Sequence, residues 1–212
     1  MAVITSYSTL LTAVADYLAK SNLTTFTPNF VQNWEEKFFR EPKNFGRWME
    51  TSLSSAIASS VVAVPAAYLG LKHAYVDGSP SSRLDRVSLN QLYGRYPRGG
   101  DTGLPVWMSR DTTNFVFGPA PDDDYTIKGV YWAKPTVMRS YTTGGADAIA
   151  HWIIVNAPDL ALYGALLEAQ PFLMNDKRIP TWDGFYKQAL ANYRALHKEE
   201  DVSGSPVQEV LA

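Results

Sequence analysis

The chain has 212 residues, 46% of them hydrophobic and 19% charged, which excludes intrinsic disorder for most of its length. Nineteen basic and 21 acidic residues give a net charge of -2, so there is no overall positive field to coat nucleic acid. The absence of cysteine excludes disulfides, thiol nucleophiles and cysteine-based metal sites, and the length predicts one domain or one domain with a small appendage.

Two short amphipathic helices are predicted in the N-terminal segment, residues 1–46. The first begins at Ser6 or Ser8, which suit an N-cap, and carries apolar residues at helical spacing up to Ser21-Asn22. The second begins near Thr27 and ends before Pro42. Each helix has one polar face, so we expect the two to pair or to pack on a larger bundle.

A β-rich insertion is predicted over residues 47–140, because the apolar period changes from about 3.6 to 2 and turn residues become frequent. Residues 71–76, the turn Asp77-Gly78-Ser79-Pro80 and residues 84–87 predict a hairpin. After it, Ser88 is expected to cap one helical turn. Further strands are expected at 106–108, 115–117 and 125–132. We expect the insertion to be antiparallel.

Residues 141–198 are predicted to return to helix and to complete the bundle. Asn156 is expected to cap a central, buried helix that has Pro158 in its first turn and ends or kinks at Pro171. A last, long amphipathic helix is expected to begin between residues 176 and 181.

The predicted fold class is therefore α+β. It consists of a helical bundle, with two N-terminal and two to three C-terminal helices, an inserted antiparallel β-rich domain and an extended C-terminal tail. The tail, residues 199–212, is acidic and contains Ser203-Gly204-Ser205-Pro206. It is either a frayed terminus or a flexible peptide that becomes ordered on a partner.

The sequence contains none of the common catalytic or cofactor motifs, including the phosphate loop, the dinucleotide glycine motif and His-Glu-x-x-His. The histidines His73, His151 and His197 lie in different predicted elements, which favours structural roles over metal binding. Asp122-Asp123-Asp124 is better explained as a solvated turn than as a cation site. We therefore expect no catalytic residue, no metal and no cofactor.

Four motifs occur in a characteristic order along the chain. They are Leu92-Tyr93 through Tyr96-Pro97, Asp101-Thr102-Gly103-Leu104-Pro105, Gly118-Pro119-Ala120-Pro121, and the stretch from Asn156 to Ala169 that contains Leu-Tyr-Gly-Ala-Leu-Leu-Glu-Ala. This order resembles that of the head-to-tail adaptor (connector) proteins of short-tailed bacteriophages, over about Thr9 to His197.

The resemblance implies a non-enzymatic virion structural protein that forms a homo-oligomeric ring, usually of twelve copies. Such a ring docks on the portal protein, joins it to a tail or nozzle protein, and forms part of the DNA conduit used in ejection. Genomic DNA would pass through the lumen without sequence-specific binding. The location implied is the virion neck, after assembly in the host cytoplasm. No membrane contact is expected, since no run of about 18 apolar residues occurs.

Two sets of contact residues follow from this resemblance and from the loop and tail composition. The portal-binding candidates in the tail are Glu199, Glu200, Asp201, Val207, Val210 and Leu211. The candidates for contact with the tail protein or with neighbouring subunits lie in two loops, 99–105 and 118–124, or beside them: Arg98, Asp101, Leu104, Asp122, Asp123 and Asp124.

Two alternatives stay open. In a virion-associated carbohydrate-active hydrolase, Trp107, Tyr131 and Trp132 would form a sugar-stacking platform near Asp122–Asp124. In a nucleic-acid-binding module, the contacts would come from a basic stretch made of Arg83, Arg86, Arg95, Arg98 and Arg110.

Overall fold

The chain divides into two compact units in the computed structural model, which describes residues 3–57, 61–97, 100–142, 151–174 and 176–201. The side chains of 141–142 and 199–201 are not described. A helical unit comprises Met1–Trp48 and Thr136–Ala212, and a β unit comprises Met49–Pro135. The fold is mixed α+β, as predicted. The sequence places the insertion at 47–140, and the described strands run from Glu50 to Ala133.

The described residues form helices and strands of very different lengths. The helices are α1 (Tyr7–Leu18), α2 (Thr27–Phe38), α3 (Leu89–Arg95), α4 (Trp152–Asn156), α5 (Pro158–Glu168) and α6 (Ile179–Asp201). The strands are β1 (Glu50–Ala56), β2 (Val61–Ala63), β3 (Tyr68–Val76), β4 (Ser82–Arg83), β5 (Asp85–Arg86), β6 (Trp107–Asp111), β7 (Asn114–Gly118) and β8 (Thr126–Ala133).

Helix α1 begins at a capping box formed by Ser6 and Thr9. The backbone N–H of Thr9 donates to Ser6 Oγ at 3.2 Å, and the N–H of Ser6 donates to Thr9 Oγ1 at 2.9 Å. The predicted start is therefore confirmed. The helix ends earlier than predicted, at Leu18, because Ala19 adopts a left-handed conformation with φ of 52°. A 3-10 helix over Ser21–Phe26 then leads directly into α2.

Helix α5 is central to the helical unit and packs against α1, α2, α4 and α6. Its buried residues lie all around its axis, as predicted for a central helix: Leu160, Ala161, Leu162, Gly164, Ala165 and Leu166. The prediction of Asn156 as its N-cap is wrong. Asn156 is the last residue of α4, where its Nδ2 donates to the carbonyl oxygen of Trp152 at 2.9 Å, so the N-cap is Ala157.

Helices α2 and α5 come close together at Gly164. A Cβ atom at this position would lie 2.1 Å from Nε1 of Trp34, so only glycine permits the observed packing. The same Trp34 Nε1 donates to the hydroxyl of Tyr186 on α6 at 3.2 Å. This single contact region therefore joins three helices.

A buried carboxylate holds the segment that returns from the β unit. Glu35 is 2% exposed, and its Oε1 and Oε2 accept the backbone N–H of Met138 at 3.0 and 3.3 Å. Nearby, His151 begins α4 as its N-cap, where its Nδ1 accepts the N–H of Ile153 at 3.3 Å. An acceptor at Nδ1 requires the neutral imidazole, because both ring nitrogens of a protonated histidine are donors.

The β unit contains two four-stranded sheets, in the orders β1-β8-β3-β4 and β2-β7-β6-β5. Buried residues from both sheets form one apolar core, which includes Leu71, Met108, Phe115 and Ile127. Between the described strands all pairings are antiparallel except that of β5 with β6, which is parallel. Thr102 and Ala120 also form an isolated parallel bridge. The expectation of an antiparallel insertion is therefore wrong at these two places.

The predicted hairpin of 71–76 with 84–87 is only partly present. β3 pairs with β4 over two residue pairs, Tyr75 with Arg83 and Val76 with Ser82. The chain then crosses to the second sheet as β5, and the main partner of β3 is the distant strand β8. The pairings of β3 with β8 and with β4 use its two opposite edges, since β3 lies between these strands in the sheet. The return strand is exposed at Asp85 and Arg86.

Helices α3 and α6 both begin where the sequence predicts. Ser88 caps α3 in a capping box with Gln91. α3 is longer than the predicted single turn. α6 begins at Ile179 and continues through Glu199 and Glu200 to Asp201, positions that the sequence assigns to the tail. Glutamate is a good helix former, and the Ser-Gly-Ser-Pro breaker comes only after Asp201.

Substitutions of two helical glycines, Gly164 on α5 and Gly184 on α6, test the packing at Gly164. We expect Gly164→Ala to lower the free energy of unfolding by about 1–3 kcal/mol, because Trp34 must move and lose its hydrogen bond to Tyr186. Gly184→Ala on α6 is the matched control, since a Cβ there meets no atom within 4 Å. It should raise the free energy of unfolding by about 0.5–1 kcal/mol through helix propensity. If the two substitutions changed the free energy of unfolding in urea equally, the close packing of Trp34 on Gly164 would be contradicted.

His151 should make the stability depend on pH. Burial lowers its pKa from 6.5 to about 4, so between these values the unfolded chain binds a proton that the folded chain does not. The free energy of unfolding should fall by about 3 kcal/mol as the pH drops from 6.5 towards 4. His151→Asn keeps a capping acceptor and should remove this part of the slope. His73→Asn, at an exposed histidine, is the control and should keep it.

Candidate interaction surfaces

The two loops predicted to contact partners come together in the β unit. The N–H of Gly103 donates to the carbonyl oxygen of Ala120 at 2.8 Å, and the N–H of Ala120 donates to that of Asp101 at 3.2 Å. The N–H of Val106 donates to Gly118 O at 3.1 Å. Residues 101–106 and 118–120 are therefore held side by side by backbone hydrogen bonds.

Tyr96 supports this pair of loops from the end of α3. A Cβ at Gly118 would lie 2.6 Å from Cδ2 of Tyr96, so the glycine allows the ring to lie directly on the backbone. The same ring contacts Trp107 edge-on, with the centroids 5.5 Å apart. The base of the loop pair is thus aromatic.

The outer face of the loop pair is acidic, with one exposed apolar side chain. Leu104 is 42% exposed, and the four carboxylates around these loops are all exposed. We call this set the acidic loop surface: Asp101, Leu104, Asp122, Asp123 and Asp124. Oδ1 of Asp122 accepts the hydroxyl of Tyr125 at 2.8 Å, and this hydrogen bond raises the pKa of Tyr125. The predicted contact residue Arg98 lies outside the described residues.

A groove of about 430 Å³ opens elsewhere on the β unit, between β3 and β6. Leu71, Met108 and Phe115 also border it, and their side chains are almost completely buried. Two exposed arginines, Arg86 and Arg110, line it. We call this feature the arginine groove.

Among known protein families, a family model described as SU10 adaptor protein matches residues 5–209 of the chain. The chain belongs to the SU10 adaptor protein family. The resemblance to phage head-to-tail adaptors is therefore confirmed. A search of curated proteins finds no match.

Membership of the SU10 adaptor family implies a structural, non-enzymatic phage protein. It also implies interaction with portal and tail proteins and a location in the virion neck. Among the residues that the structure describes, no group of three or more His, Cys, Asp or Glu side chains could hold a metal ion. No described helix of this adaptor is long and apolar enough to span a bilayer.

The stacking platform of the hydrolase alternative is not formed in this adaptor. The Tyr131 side chain is buried at 8% exposure. Its neighbour Trp132 lies under the ammonium group of Lys72, 5.9 Å from the ring centroid. Trp107 belongs to the other sheet and packs on Tyr96. Adjacent strand residues face opposite sides of a sheet, so Tyr131 and Trp132 cannot share one sugar-binding face.

The basic stretch of the nucleic-acid alternative is divided among different contacts. Arg83 pairs with Asp85 at 3.2 Å, and Arg95 lies over the Tyr96 ring at 5.6 Å. Of the arginines of this stretch that the structure describes, Arg86 and Arg110 line one groove. Sequence reasoning named both arginines, but it missed the groove because that feature depends on the placement of β3 beside β6.

Two of the three histidines do converge in the helical unit, which the sequence did not predict. Trp48 and Trp152 stack in parallel with centroids 5.0 Å apart. His151 contacts Trp48 edge-on at 5.5 Å, and His197 contacts Trp152 at 5.3 Å. These contacts fit the predicted structural role of the histidines. They also fix the end of α6 just before the predicted portal-binding residues.

The predicted portal-binding residues are described only in part. Glu199, Glu200 and Asp201 form the last residues of α6. Val207, Val210 and Leu211 lie outside the described residues. The acidic group is therefore carried at the C-terminal end of a 23-residue helix.

Substitutions at Gly118 and Gly103 test how the loop pair is held. Gly118→Ala should push Tyr96 off the loop and speed amide hydrogen exchange of Gly103 and Val106 by about tenfold, equivalent to about 1.4 kcal/mol of local opening. Gly103→Ala is the control, because its Cβ would make an ordinary contact 3.6 Å from Pro119. Unchanged exchange in Gly118→Ala would show that Tyr96 does not support the loops.

Proposed function

We propose that this SU10 adaptor forms a homo-oligomeric ring, of twelve copies as in related adaptors, between the portal and the tail of a phage. The observation that carries the proposal is the family match over 5–209, in a chain whose two predicted docking loops form one surface. Helices α1, α2, α5 and α6 act as the bundle that gives each subunit a rigid body. Genomic DNA passes through the lumen during ejection.

The C-terminal segment, 199–212, is the portal-binding element of this proposal. Glu199, Glu200 and Asp201 end a helix whose length is about 34 Å. Acidic residues are unfavourable at a helix C-terminus, so the stability of α6 does not explain their presence there. In this proposal they meet a basic surface of the portal, while Val207, Val210 and Leu211 supply apolar area.

The acidic loop surface faces a tail or nozzle protein, or a neighbouring subunit, in this proposal. An exposed leucine surrounded by carboxylates suits a partner surface with an apolar pocket and a basic rim. The lumen needs no specific DNA contact, and a subunit net charge of -2 is compatible with DNA sliding past it.

Removing residues 199–212 tests the portal contact. We expect the chain ending at Lys198 to fold normally, since His197 and its contacts with Trp152 and Tyr193 are retained. It should no longer bind purified portal in light-scattering measurements.

A full-length control separates charge from apolar contact. Glu199→Gln, Glu200→Gln and Asp201→Asn together should weaken portal binding at low salt, and the difference from the wild type should shrink at moderate salt. Normal portal binding by the truncated chain would overturn the assignment of this segment.

A further inference from the structure

The arginine groove and the acidic loop surface are complementary in charge. One carries two exposed arginines, and the other carries four exposed carboxylates beside Leu104. Both belong to the β unit, at different positions along the pair formed by β6 and β7. Gly118 pairs with Trp107 at the loop end, and Asn114 pairs with Asp111 at the other end.

The groove is bordered by strand edges with little pairing. In the described part of the chain, β3 pairs on this side only with β4, at Tyr75 and Val76. β6 pairs with β5 only at Trp107 and Met108. Backbone edges therefore line the groove at two places. One is the stretch of β3 around Leu71, and the other is the end of β6. Such edges are usually covered by another segment.

Both arginines of the groove donate hydrogen bonds to backbone carbonyls, and neither is paired with a described carboxylate. Nη1 of Arg86 donates to the carbonyl oxygen of Leu71 at 3.0 Å. Nε of Arg110 donates to Thr112 O at 3.2 Å, and the guanidinium lies 5.3 Å from the centre of the Tyr68 ring. Within the described residues neither guanidinium has a carboxylate partner, so each keeps its charge and further donors for an incoming acidic group.

We propose that the arginine groove of one subunit receives the acidic loop surface of a second copy of this chain. The carboxylates of Asp122, Asp123 and Asp124 meet Arg86 and Arg110. Because the two patches are different surfaces of one molecule, the contact is heterologous, and it forms a closed ring when its rotation divides a full turn evenly. The inference rests on the proposed function and names the contact that builds the ring.

Nucleic acid is the weaker occupant for this groove. A phosphate backbone needs a row of cations, whereas the groove offers two arginines. The chain as a whole is net negative. A short acidic protein loop matches a pair of arginines in charge.

Cysteine cross-linking tests the contact directly, because the chain contains no cysteine of its own. Asp123→Cys places a thiol on the acidic loop surface, and Leu69→Cys places one on the wall of the groove. Adaptor rings assembled on portal from a mixture of the two variants should form the 123–69 disulfide under mild oxidation. The yield should exceed that of Asp123→Cys with Asn22→Cys, an exposed site on the helical unit, by at least about tenfold.

The double variant Asp123→Cys/Leu69→Cys tests the symmetry of the contact. A heterologous contact predicts a ladder of covalent multimers, whereas an isologous contact stops at the dimer. Assembled rings without the disulfide, or a product that stops at the dimer, would overturn the inference and leave the proposed function standing. Failure of the wild-type chain to form any ring with portal would overturn both.

A charge exchange gives an independent readout. Arg110→Asp or Asp123→Arg alone should lower the yield of assembled ring by about tenfold, and the two together in one chain should restore it. Arg83→Asp, at an exposed arginine outside the groove, is the matched control and should have little effect. Single reversals no worse than this control, or loss of the cross-link when short duplex DNA is added at moderate salt, would overturn the contact between copies.

Discussion

The close approach of α2 and α5 at Gly164 is the constraint on which the helical unit depends. α5 is buried around most of its circumference, so other helices must cover it. α2 reaches it only because no side chain stands at Gly164. The Trp34 indole that fills this space also reaches Tyr186 on α6. One missing Cβ therefore sets the distance between helices that are far apart in sequence.

The β unit is stabilised by an apolar core between two sheets. The strands of these sheets come from distant parts of the chain, since β3 lies next to β8 and β5 next to β6. This arrangement leaves two specialised surfaces. The loops after α3 and after β7 are joined over Tyr96, and the space between β3 and β6 stays open as an arginine-lined groove.

Membership of the adaptor family implies interaction with portal and tail proteins. In the proposals above, the C-terminal segment meets the portal, and the acidic loop surface and the arginine groove join neighbouring copies of the chain. The aromatic residues, 13% of the chain, contribute less to exposed interfaces than to internal packing. Trp34, Trp48 and Trp152 all lie within the helical unit, in contact with other rings.

Local sequence signals determined most of the helices and the class of the fold. Ser6 and Ser88 cap the helices they were expected to cap, because a capping box needs only residues three positions apart. The order of motifs along the chain identified the adaptor family. By contrast, β1 has little periodic apolar pattern, since Leu53 is its one buried residue, and sequence reasoning did not find this strand.

The tertiary structure alone decided which strands pair, where the groove opens and that the two docking loops meet. Asp77-Gly78-Ser79-Pro80 leads from β3 to a short local partner, β4, whereas the long pairing of β3 is with the distant strand β8, which brings the fully buried Ile127 into the core. Likewise Asn156 carries the right side chain for an N-cap but ends the preceding helix. Caps and turns depend on near neighbours, which the sequence contains, whereas pairing and convergence depend on burial between segments brought together only by the folded chain.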